Sequence, residues 1–74
     1  MTNKKTILDS LGVRVDSEFS CYYSNGSFVE DIKILEISDY FVFVSGDKNK
    51  SRRRESHTSV IKLINNGLWR KKYY

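Results

Sequence analysis

Three consecutive arginines, Arg52, Arg53 and Arg54, stand shortly before the chain's only histidine, His57. Arginine offers a planar fork of N–H donors that matches a phosphate or carboxylate. A neutral imidazole can read a base edge or a phosphate without a large desolvation cost. On a strand these arginines alternate, so Arg52 and Arg54 share a surface and Arg53 opposes them. Asp47 and Glu55 partly neutralise the cluster. A second basic group, Arg70, Lys71 and Lys72, lies among Trp69, Tyr73 and Tyr74. Clustered charge creates a local potential that dispersed charge does not, which favours an anionic partner. The plain alternative is a solvated basic loop followed by a frayed basic tail.

Catalytic chemistry finds little support. There is no nucleophile elbow and no glycine loop to cradle phosphate, and the carboxylates are scattered singly. Asp39 reads as a turn residue. With one histidine and Cys21 as the sole cysteine, CxxC spacings are impossible and a metal site is not expected. The expectation is a protein that is not an enzyme and needs no cofactor. A lone thiol forms no internal disulfide, which fits a reducing cytosol. No apolar run approaches the roughly 20 residues that span a bilayer, and "MTNKKTILDSLG" lacks a secretory core.

The elements that must position these groups belong to one small domain of 74 residues. A chain this short has limited capacity to bury a core, so help from a partner subunit is anticipated. Thirteen Lys and Arg against nine Asp and Glu give +4, and the 14% aromatic content is high for so polar a chain.

"TNKKTILDSLG" predicts a helix over about residues 3–11, with Thr2 or Asn3 as cap, Ile7, Leu8 and Leu11 as its apolar stripe, and Gly12 as a left-handed stop. From Val13 the apolar period changes to two, predicting strands over about residues 13–64. Asn25-Gly26 suits a two-residue hairpin turn. In "SFVEDIKILEI" the apolar side changes partway, which signals a bulge where a small sheet curls. "YFVFV" is apolar on both faces and predicts a strand covered on both sides. "HTSVIKLI" is rich in β-branched residues and predicts the last strand, ended by "NNG". Residues 1–67 form the domain and 68–74 a short basic, aromatic tail. The fold class is mainly β: a short N-terminal helix and a five-stranded, strongly bent small barrel of the SH3 or Sm-like kind.

That order, with "YYSNG" at the first hairpin, "ISDYFVFV" and "SHTSVI", resembles the Sm-like family and in particular its bacterial host-factor Hfq branch. The resemblance covers roughly residues 3–64. The chain departs from the pattern where Asp31 replaces a mid-strand glycine with one extra residue of spacing, where Ser56 stands in place of a basic residue, and where the helix lacks a glutamine for uracil. The resemblance implies a homo-oligomeric ring closed by pairing the fourth strand of one copy with the fifth of the next. It also implies single-stranded RNA as ligand, held by base stacking on Phe41, by Asp39, Ser56 and His57 around it, and by Arg52, Arg53 and Arg54 on phosphates. Trp69, Arg70, Lys71 and Lys72 add tail contacts. Two other readings belong beside it: a small barrel adaptor or inhibitor, of the kind a phage carries, docking on a host protein through its open edge and the Trp69 tail; or an Sm-like ring that has lost RNA and serves as a scaffold.

Overall fold

A computed structural model describes residues 3–73, which build α1 (Lys4–Ser10), β1 (Glu18–Tyr22), β2 (Phe28–Ile37), β3 (Phe41–Gly46), β4 (Arg53–Ser56), α2 (His57–Asn65) and β5 (Trp69–Lys71). Helix α1 starts where the Asn3 side chain accepts from the Lys5 amide at 2.8 Å. It stops at Gly12, whose φ of +84° suits glycine. The amides of Gly12 and Val13 return to the Asp9 and Leu8 carbonyls at 3.0 and 2.9 Å. This double closure is a Schellman motif, and its two apolar ends, Leu8 and Val13, are both buried. Thr2, the other predicted cap, lies outside the described residues.

The first strand begins at Glu18 and not at Val13. The Ser17 amide donates to the Arg14 carbonyl at 2.9 Å, and Asp16 takes a φ of 73°, which aspartate tolerates better than most side chains. Val13 therefore belongs to the helix stop, and Val15 is exposed. The Asn25-Gly26 signal does mark the β1–β2 hairpin, but with three loop residues instead of two. Tyr23 donates to the Ser27 carbonyl at 2.8 Å, Gly26 donates to the Tyr23 carbonyl at 2.9 Å, and Gly26 has a φ of +90°. That is a type I turn followed by a glycine bulge.

Strand β2 changes face as its sequence predicts. Its register against β3 shifts between Ile34 and Glu36; Ile32 and Ile34 are buried before the shift, and Ile37 packs on the core after it. The inserted Leu35 bends the sheet. All neighbours pair antiparallel in one five-stranded sheet of order β4-β3-β2-β1-β5. The molecule is mainly β, a small barrel-like fold with short helices.

Two elements correct the sequence reading. "HTSVIKLI" is helical: Ser56 Oγ accepts from the Ser59 amide at 3.1 Å, and His57, Val60, Ile61 and Ile64 fall on one helical face. The Asn66-Gly67 end repeats the Schellman closure, Gly67 to Ile64 at 3.0 Å and Leu68 to Leu63 at 2.9 Å. The fifth strand is Trp69–Lys71, which the sequence placed in a tail; it pairs with β1 through Phe19–Lys71, Ser20–Arg70 and Cys21–Trp69. The strands thus run from Glu18 to Lys71, not 13–64. One core joins Phe19, Ile32, Ile34, Val42 and Val44 of the sheet to Leu8, Val60 and Trp69.

Candidate functional site

The three arginines alternate as a strand requires. Arg52 and Arg54 lie over the outer face of β3, and Arg53 turns inward. The Arg52 guanidinium stands 4.3 Å from the Phe43 ring centroid and Arg54 4.6 Å from that of Phe41. The two rings are themselves 6.4 Å apart. The outer face of β3 is therefore covered by arginines from the β4 side. Stacking desolvates one face of each guanidinium and leaves its N–H edge free to donate. Arg52 also reaches Glu36 at 3.3 Å, with both side chains more than half exposed. Such a pair contributes about 0–1 kcal/mol and exchanges readily for another anion. Arg54 makes no ion pair among the described residues.

Beside this ladder, Lys4, Asp39, Tyr40, Phe41, Ser56, His57 and Thr58 line a cavity of about 270 Å³. Four sequence-predicted residues, Asp39, Phe41, Ser56 and His57, thus meet in one place, with different roles. His57 is buried; its Nε2 donates to the Ser38 carbonyl at 2.8 Å and its amide to the Tyr40 carbonyl at 3.3 Å. It pins the β2–β3 turn. The Ser56 hydroxyl caps α2. Asp39 is exposed and paired to Lys5 at 2.7 Å, a bond that holds its carboxyl below the usual aspartate range. Lys4 donates to Thr58 Oγ1 at 2.9 Å. Tyr40, which the sequence reading passed over, is 78% exposed. Its signal was an aromatic ring placed directly after the Ser38-Asp39 turn, where little can cover it.

Arg53 is not on this face. Its Nη2 donates to Glu30 Oε2 at 3.0 Å, and Glu30 Oε1 accepts from the Lys48 and Asn49 amides at 3.3 and 3.2 Å. Burial pushes the Glu30 carboxyl upward, but the Asn49 and Lys48 amides and Arg53 together outweigh it, so the group sits below the usual glutamate range. A Cβ at Gly46 would collide with this carboxylate, which is why β3 ends on glycine. The β3–β4 connection is folded around Glu30.

Of the predicted tail residues, Trp69, Arg70 and Lys71 form β5, at the other border of the sheet from β4. Trp69 is 8% exposed and packs 6.0 Å from Phe19, so it is core and not a free docking group; the adaptor reading loses its anchor. Arg70 stacks 4.4 Å over Tyr22, Lys71 lies 5.7 Å from the Tyr73 ring, and Lys72 pairs with Asp31 at 2.8 Å. Lys72 and Ser20 hold the Asp31 carboxyl below its usual range. Tyr74 lies outside the described residues.

A further surface cavity, about 280 Å³, lies against β2 with Glu18, Asp31 and Asp47 facing Lys33 and Lys50. Three carboxylates against two lysines suit a polyanion poorly. Among the described residues no group of His, Cys, Asp and Glu is arranged to hold a metal ion, and no helix is long and apolar enough to cross a membrane. No protein-family model, curated protein or solved structure matches the chain.

Proposed function

We propose that the chain is a cytoplasmic, Sm-like RNA-binding subunit that holds single-stranded RNA on the outer face of β3 and β4. The observation that carries this reading is the pair of arginine–phenylalanine stacks beside an open tyrosine and a lysine: Arg52 on Phe43, Arg54 on Phe41, with Tyr40 and Lys4 at the neighbouring cavity. Phosphates meet the donor edges of Arg52 and Arg54. One base stacks on Tyr40 and another on the outer plane of a guanidinium, each contributing about 1–3 kcal/mol without sequence readout. His57 acts from behind, by fixing the turn that presents Tyr40. Copies of the chain assemble through β4 and β5, each of which has only one neighbour in the sheet and so carries an unpaired edge.

Fluorescence anisotropy with short labelled RNA between about 50 and 200 mM salt tests the reading. Wild type binds with an affinity that falls steeply with salt. The double variant Arg52→Gln, Arg54→Gln binds at least about tenfold more weakly, with a salt slope shallower by about 2, whereas Arg70→Gln changes little. Affinity that is absent, or flat across that salt range, ends the proposal.

A further inference from the structure

The β1–β2 hairpin and β5 carry a second cationic and aromatic surface, which the proposed RNA contacts leave unused. Its origin is local. In the ladder Cys21 faces Glu30 but Tyr22 faces Phe28, so Val29 is an extra residue, and it packs on the core. Phe28 is thereby set beside Tyr22, the ring centroids 5.7 Å apart and edge to face, and it stays 48% exposed.

A cation stands at each end of this pair of rings. Arg70 lies 4.4 Å from the Tyr22 centroid and Lys48 5.5 Å from that of Phe28. The Arg70 Nε donates to the Gly67 carbonyl at 3.0 Å, which fixes the guanidinium and leaves its terminal nitrogens to donate elsewhere. Both cations are exposed, and neither makes an ion pair among the described residues. The surface therefore reads positive, apolar, positive.

End to end, these three contacts cover no more than the reach of about five extended residues, at roughly 3.3 Å each. In such a segment the first, third and fifth side chains share a face. An acid, an apolar group and an acid at those positions match Arg70, Phe28 and Lys48 in turn. A nucleic-acid strand matches less well. It carries a phosphate on every unit, which would set charge over the rings, and each ring already gives one face to a cation instead of a base.

We propose that this face docks an acidic, extended peptide segment of a partner protein, with one carboxylate on Arg70, an apolar side chain on Phe28 and a second carboxylate on Lys48. Covering the Phe28 ring supplies the apolar part of the affinity. The exposed ion pairs set orientation more than strength. The inference stands apart from RNA binding, because Arg52, Arg54 and Tyr40 take no part in it.

The probe is acetyl-Glu-Ser-Leu-Ser-Glu-amide, titrated into the full chain and followed by amide NMR shifts. Shifts at Tyr22, Phe28, Lys48 and Arg70 saturate with a Kd of roughly 0.1–1 mM. Replacing both glutamates of the probe by glutamine, or its leucine by serine, weakens binding at least about fivefold. The double variant Lys48→Gln, Arg70→Gln weakens the original probe by about the same factor, and so does Phe28→Ser. Circular dichroism checks that the variants stay folded; if one does not, the glutamine and serine probes test the same contacts on wild type. No saturable shift, equal binding of either altered probe, or saturation at Arg52, Arg54 and Tyr40 instead, each overturns the proposal. So does a short single-stranded RNA that shifts Tyr22 and Phe28 and loses affinity in the Lys48, Arg70 double variant, an outcome that makes this face a nucleic-acid surface.

Discussion

Removing Glu30 strips the Arg53 guanidinium and the Lys48 and Asn49 amides of their common acceptor, at a carboxylate only 7% exposed. Breaking one partner of a buried pair costs about 3–5 kcal/mol. Arg53 itself is 39% exposed, so water takes over part of its solvation and the lower end applies: Glu30→Ala is expected to lose about 3 kcal/mol in urea denaturation. The pH dependence follows from the same group. Its folded-state carboxyl titrates below its unfolded value, so the stabilisation is complete above the ordinary glutamate pKa of about 4.3 and disappears as pH falls through the folded value. A series of Tm against pH should therefore fall on the acid side, and less steeply in Glu30→Gln. Asp31 and Asp39 shift in the same direction, so part of the acid slope must survive in that variant. At this scale the sequence was readable in one respect and not in another. Alternation separated Arg53 from Arg52 and Arg54, but nothing local revealed that Glu30, more than twenty residues earlier, would hold the middle arginine inside.

Elements were legible where their ends are chemical. Asn3 and Gly12 bound α1, Gly26 turns the first hairpin, and the change of apolar side in β2 announces its bulge. Helix α2 carried equally good ends, Ser56 and Gly67, yet its β-branched residues suggested a strand. Both periods fit that short segment; docking of Val60 and Ile64 onto the core selects the helical one. Strand β5 was illegible for a different reason. Three residues have no measurable period, and their pairing depends on β1, distant in sequence. If the caps decide α2, then Ser56→Ala should destabilise the protein by about 1 kcal/mol, with Ser56→Asp nearly neutral. Thermal denaturation followed by circular dichroism would show it; equal losses in both variants would mean that the hydroxyl serves packing and not the cap.

The whole molecule poses the question of its open borders. The Leu68 carbonyl accepts from the Tyr22 amide at 2.7 Å and the Lys72 amide donates to the Glu18 carbonyl at 2.9 Å, so positions 68 and 72 bond inward to β1. By the alternation of an antiparallel ladder, the amides of Trp69 and Lys71 point the other way, to the unpaired side. The arginine–aromatic face was legible only in outline from sequence, because the ladder and the Tyr40 cavity come together through β3–β4 pairing; the borders are a property of the strand order, and no single segment encodes them. Proline at position 71 removes one outward donor and leaves the β1 pairing intact, a substitution edge strands tolerate. Native mass spectrometry at micromolar concentration should then find wild type at a multiple of the 8.7 kDa chain, and Lys71→Pro shifted toward the single chain with its circular dichroism unchanged. RNA affinity per chain should survive in the variant for short oligonucleotides, since Arg52, Arg54 and Tyr40 lie elsewhere, while longer strands that engage several subunits lose the added avidity of assembly. A wild-type protein that runs as one chain would remove the ring and leave the arginine–aromatic face to be judged by its salt dependence alone.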